Sequence, residues 1–152
     1  MYDLIVSFLF GSSGSWGELV LRLSLAFVLW PHGAQKVLGW FGGPGWSGSY
    51  RMFTESMGIP GVFAVMAMLT EFLAPLCMAV GLMTRPAAIG LVVLMCVAMS
   101  KHVHNGFFMN WFGQKGGEGF EYHVLYAGAA LAVVFFGGGA FSVDAWLAGM
   151  FL

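Results

Sequence analysis

Charge is what this chain has least of. Only 9% of its 152 residues are Asp, Glu, Lys or Arg, against about 25% in an ordinary soluble domain. So few charges cannot cover a surface that faces water, and the composition points to an integral membrane protein. The net charge is −1, with no basic tract and no acidic tail. That balance gives no sign of a nucleic-acid partner, and none is expected. Cysteine is scarce too. Cys77 and Cys96 form no CxxC motif, and no His/Cys spacing matches a zinc site. Both cysteines read as small apolar residues inside helices.

What the chain has instead is apolar bulk and glycine. Hydrophobic residues make up 59%, and there are 23 Gly and 11 Met. Small residues let helices approach closely in lipid, and Met fills irregular gaps between them. The expected fold is all-α, a four-helix transmembrane bundle forming a single membrane domain over residues 1–152. A helix needs about 20 residues to cross about 30 Å of hydrocarbon. Four stretches meet that need or come close to it, at about 18–37, 61–83, 86–108 and 121–136. A short helix at about 145–152 follows, with Ser142 and Asp144 as candidate caps. The first ten residues read as a retained segment lying at the interface.

Local signals place the boundaries. Ser15 and Glu18 have the spacing of a capping box. Pro31 and Pro75 each remove a helix hydrogen bond and loosen the turn before them. Two aromatic and Gly-rich connections, residues 39–59 and 107–120, fall on one side of the bundle by the parity of the spans. In the first, Tyr50, Phe53, Thr54 and Met57 recur at i, i+3, i+4 and i+7, which predicts a short amphipathic helix at the interface. Trp40 and Trp46 suit an aromatic belt at headgroup level.

The same parity gathers the ionisable residues. His32 and Lys36 close the first span, Glu71 lies inside the second, Lys101, His102 and His104 close the third, and Glu121 and His123 open the fourth. An ionisable group within a span costs at least about 2.5 kcal/mol to insert and is a functional candidate by default. Glu71 is the clearest. It reads either as a structural ion pair with Arg22 or as a proton-carrying carboxylate. His32 with Lys36, and Lys101 with His104, share helix faces. Glu121 and His123 are two apart, so one of them faces the core. Tyr122 and Tyr126 share a face and can bring a phenol to the same place.

Three chemistries compete for such a set. His, Lys and Glu with aromatic walls can bind a quinone headgroup, with Glu71 and His104 in proton transfer. Here His32, Lys36, Lys101, Glu121, Tyr122 and His123 would be the binding contacts. Alternatively, His32 and His104 are the natural axial pair for a haem, although nothing else in the sequence supports one. Finally, Lys36 and Lys101 could hold a small anion. No metal site is expected.

Several motifs resemble the DoxX family of small bacterial membrane proteins. They are Arg22-Leu-Ser-Leu with His32-Gly33 and Lys36, Gly58-Ile-Pro60, and Glu71-Phe-Leu-Ala-Pro75 before Gly81-Leu-Met-Thr-Arg85-Pro86. The stretch from His104-Asn-Gly to Trp111, Gly117-Glu-Gly-Phe-Glu-Tyr-His123, and Gly137-Gly-Gly139 with Ser142 and Asp144 complete the pattern. The resemblance spans about residues 17–147. It implies a multi-pass four-helix protein of the bacterial cytoplasmic (inner) membrane. It also implies a link to membrane-bound thiosulfate:quinone oxidoreductase, or to assemblies with a superoxide dismutase and a sulfurtransferase. The expected partners are the lipid bilayer and a membrane or membrane-associated redox protein, with a homo-oligomer also open. The alternatives are a non-catalytic anchor or assembly subunit and a small solute transporter.

Overall fold

A computed structural model describes residues 10–11 and 14–151 of the chain. The expectation for the first ten residues, all but the last, lies outside that range. The described residues form an all-helical structure with no strand. Its α-helices are α1 (Trp16–Val37), α2 (Gly45–Arg51), α3 (Gly61–Val80), α4 (Thr84–His102), α5 (Glu121–Phe136) and α6 (Val143–Phe151). A π-helical turn, Met52–Ser56, continues α2, and 3-10 turns cover Trp40–Gly42 and Val103–Asn105.

The four long helices contact one another in a ring. α1 packs most extensively on α3 and α5 on α4, while α3–α4 and α1–α5 close the circle. Inside lie Leu25, Leu29, Met78, Leu91, Met95, Tyr126 and Val133. A second, smaller core of Phe53, Ala64 and Met68 seats the π-helical turn on α3. The outer faces are apolar as well. Phe27 is 84% exposed, Leu125 74% and Phe135 70%, a pattern suited to lipid contact and unsuited to water. Among the described residues, two helical stretches are long and apolar enough to cross a membrane, Gly61–Val80 and Thr84–Asn105. α5 is apolar but has only 16 residues, and α1 carries Glu18, Arg22 and Lys36.

Several boundaries differ from the sequence reading. α3 stops at Val80 because Gly81 turns left-handed (φ 71°) and caps it. A side chain there would also strike Ser142, whose Cα lies 2.8 Å from the place of a Cβ. α4 starts at Thr84, ahead of Pro86, and its α-helix ends at His102. The predicted amphipathic helix at 49–58 begins earlier, at Gly45, and ends in the π-helical turn. The capping box at Ser15 and Glu18 is present, with the Ser15 N–H donating to Glu18 Oε2 at 3.0 Å.

At the end of the ring away from the two long loops, buried charges tie helix termini together. Arg22, 1% exposed, donates to the carbonyls of Met78 (2.7 Å), Ala79 (2.8 Å), Gly138 (2.9 Å) and Phe141. Met78 and Ala79 lie in the last turn of α3. Arg85 donates to the Val134 and Phe135 carbonyls at the end of α5, at 2.8 and 3.1 Å. Asp144 accepts from the backbone N–H groups of Met83 (2.7 Å) and Thr84 (2.8 Å) at the start of α4. Each charge thus meets the helix end whose partial charge opposes it, and each satisfies groups that helix geometry leaves unpaired. In lipid those groups have no water to turn to. Asp144 therefore serves α4 as a cap in trans, while Ser142 Oγ accepts from the Ala145 N–H and caps α6 as expected.

Gly33 sets the spacing of α1 and α3. A Cβ on it would meet the Glu71 carbonyl and lie 2.6 Å from the Phe72 Cα. That carbonyl is the one Pro75 leaves without its helical donor. Gly33→Ala must therefore push the two helices apart or be expelled. The expected result is a loss of about 1–3 kcal/mol by overpacking, read as a lower melting temperature in detergent. An unchanged melting temperature would mean that the helix contact is looser than described.

Candidate functional site

At the loop end the bundle opens into a cavity of about 310 Å³, at the small end of the range for ligand pockets. α1 contributes Leu29, His32 and Lys36, the π-helical turn contributes Met52 and Phe53, and Met57 follows it. α3 contributes Ala67 and Glu71, α4 contributes Leu94 to His102, and α5 contributes Tyr122 and His123. Met109 and Glu118 reach in from the second long loop.

Its polar floor is an ion pair. Lys36 Nζ donates to Glu71 Oε1, and the Glu71 side chain is 8% exposed. The pair forms because Glu71 sits at the close crossing of α3 with Gly33 of α1, and Lys36 lies one helix turn further along α1. The Phe53 ring lies 5.9 Å from the Lys36 ammonium and adds a cation–π contact. This overturns the pairing of Glu71 with Arg22. Arg22 is spent on carbonyls at the far end, and Lys36 takes its place.

Across the cavity stands Tyr122. Its hydroxyl is buried and has no hydrogen-bond partner among the described residues. Tyr126, one turn deeper, differs, since its hydroxyl donates to the Leu25 carbonyl at 3.0 Å. His123 stacks on His102 with ring centroids 5.0 Å apart and planes at 22°. His102 Nδ1 lies 3.3 Å from the Glu118 carbonyl. Lys101 Nζ donates to the Met57 carbonyl at 3.1 Å, which joins α4 to the first long loop and fixes both loops at one end.

Two sequence candidates stand apart from this group. His104 sits in the 3-10 turn after α4, exposed and outside the cavity. Glu121 is used to hold the second loop. Its Oε1 accepts from the Met109 N–H at 2.9 Å and the Trp111 Nε1–H at 3.3 Å. Of the pair Glu121 and His123, it is His123 that faces the cavity. His32, Lys36, Glu71, Lys101, Tyr122 and His123 do converge there.

His102, Glu118 and the π-helical turn are the lining that sequence reasoning did not assign to the site. Phe53 and Met57 gave a signal in their four-residue spacing. Glu118 gave none, because a loop of 15 residues has no period from which to read a direction.

The second loop is cross-linked by its own polar side chains despite its glycines. Asn110 Oδ1 accepts from the Lys115 N–H at 2.9 Å, and Glu118 Oε2 accepts from the Asn110 N–H at 2.8 Å. Trp111 and Phe112 lie at its exposed tip. No group of His, Cys, Asp and Glu among the described residues is arranged to hold a metal ion.

No curated protein and no solved structure matches this chain. The family model named DoxX matches residues 17–111, more than half of the sequence, from the start of α1 into the second long loop. With that match covering α1, α3, α4 and most of the cavity wall, the chain belongs to the DoxX family.

Proposed function

We propose that the chain is a four-span membrane subunit of a quinone-linked redox system, with the cavity as the quinone headgroup site. The apolar outer faces of α1 and α5 support four spans rather than two. α5 is the short one, about 24 Å at 1.5 Å per residue. The observation that carries the site is the Tyr122 hydroxyl, a buried donor without a partner on the wall of a largely apolar cavity that also holds Lys36 and Glu71. A buried polar group left unpaired costs about 1–3 kcal/mol, so a ligand with an acceptor oxygen is favoured there.

A quinone headgroup fits that requirement, being a flat apolar ring with a carbonyl at each end. Once bound it would supply two-electron, two-proton chemistry, with electrons passed to or from a partner redox protein. The residues do the rest. Tyr122 donates to one carbonyl, Glu71 holds and moves a proton, and Lys36 pairs with the Glu71 carboxylate. His102 and His123 lie beside them as a second proton-accepting pair.

The test is direct. Protein stripped of lipid and placed in nanodiscs should quench its Trp fluorescence on quinone titration. Tyr122→Phe should weaken binding about three- to tenfold, the value of one hydrogen bond, without changing the melting temperature downward. Wild-type protein that takes up no more quinone than empty nanodiscs ends this reading.

The buried charges at the far end favour a second reading. They are all consumed in tying helix ends, which is what an anchor or assembly subunit needs. Under that reading Tyr122→Phe leaves the activity of each assembled complex unchanged.

A further inference from the structure

One wall of the cavity is formed by α3 and α4. Midway along them the two helices are closely apposed, since a methyl on Gly90 would come 3.2 Å from the Thr70 methyl. Toward the loops Ala67 of α3 and Leu94 and Val97 of α4 line the cavity, and Val97 is also 46% exposed, so the cavity lining meets the outer surface in the gap between these side chains. Beyond that gap, Met57, the residue that ends the π-helical turn, is held to α4 by the hydrogen bond from Lys101 Nζ to its carbonyl. That bond is exposed to the surroundings. The turn ahead of it is π-helical, a form that recurs at functional sites, and Gly58 after it is left-handed (φ 65°), a conformation glycine adopts without strain. Outside the gap the surface is apolar, with Phe63, Met66 and Val93 exposed.

We propose that the cavity is filled from within the bilayer, through the seam between α3 and α4, and that Lys101 is the latch on that seam. This rests on reading the cavity as the binding site, and it narrows the ligand class. The ligand is a membrane-dissolved amphiphile whose small polar head reaches Tyr122 and Glu71 while its apolar tail stays in the seam. A water-soluble ion or acid would gain nothing from an apolar approach. A lysine suits the latch because its long stem reaches across the gap and its ammonium is released without leaving a buried charge.

The route is tested without any assumed ligand. Cys77, half-buried, and Cys96, exposed, are first replaced by Ser. Ala67→Cys then places a single thiol in the gap. Two reagents compete for it, an alkyl maleimide dissolved in the bilayer and a sulfonated maleimide confined to water. The alkyl reagent should label the thiol several-fold faster. Lys101→Met and Lys101→Gln should each raise that rate about fivefold, the loss of one exposed hydrogen bond, whereas Lys101→Arg should keep it low. Equal labelling in Lys101→Met and its parent, or a sulfonated reagent as fast as the alkyl one, overturns the proposal. Quinone titration of the same samples separates the two ideas. Labelling as expected with no quinone uptake rejects the redox reading and leaves the route standing for another amphiphile.

Discussion

Arg22→Met should be the most damaging single substitution in the chain. The guanidinium is fully buried and donates to four carbonyls drawn from the end of α3 and the 138–141 turn. Methionine matches its stem but leaves those four acceptors empty. Hydrogen bonds to a charged group contribute about 1.5–3 kcal/mol each. Even with partial relaxation, the expected loss exceeds about 4 kcal/mol, which is exceptional for one residue. The protein should fail to accumulate in the membrane, or should melt far below the parent in detergent. Arg22→Lys should fall between, because an ammonium has three donors and no fork geometry. If Arg22→Met melts within a few degrees of the parent, the knot is ornamental and α3 is held by apolar packing alone. Asp144→Ala offers the matching check at α4, where two N–H groups lose their acceptor.

The same knot shows what sequence reasoning can and cannot reach here. Helix existence was legible because each long helix is a mostly apolar run bounded by Pro, Gly or a cap, and a lipid surrounding leaves the backbone few alternatives. The convergence of Lys36, Glu71, Lys101 and His123 was legible from parity alone, since alternate span ends must share a side. Partner choice was not. Arg22 and Glu71 are the two most deeply buried charges of α1 and α3, and opposite charges in lipid invite pairing. Pairing them ignored depth. Arg22 lies two turns from the start of α1, level with the end of antiparallel α3, while Glu71 lies midway along α3 and level with the second half of α1. Helix carbonyls, invisible in a list of side chains, were the nearer partners. His104 and Glu121 were misplaced for a related reason. Both flank a loop, and a helix-face argument stops applying where the helix does.

The Lys36–Glu71 pair separates a structural role from a functional one, and its two members should behave unequally. The Glu71 side chain is 8% exposed and that of Lys36 is 21%. Lys36→Met strands a buried carboxylate, which should cost on the order of 3–5 kcal/mol or force the carboxyl to take up a proton. Glu71→Gln strands only an ammonium on a long stem, which can bend toward the loop end and find water, so its cost should be markedly smaller. The double variant Lys36→Met/Glu71→Gln removes both charges and should recover most of the stability lost in Lys36→Met, because an ion pair replaced as a unit is often near neutral. Melting temperatures of the four proteins in one detergent measure the coupling. Additive losses in the double variant would mean that the two residues do not act as a pair. Recovery of stability then gives the decisive comparison. A double variant that folds well and still binds quinone, but no longer supports its reduction by the partner, places the proton on Glu71. One that folds well and works fully makes the pair internal glue, and the function must then rest on Tyr122 and the two histidines beside it.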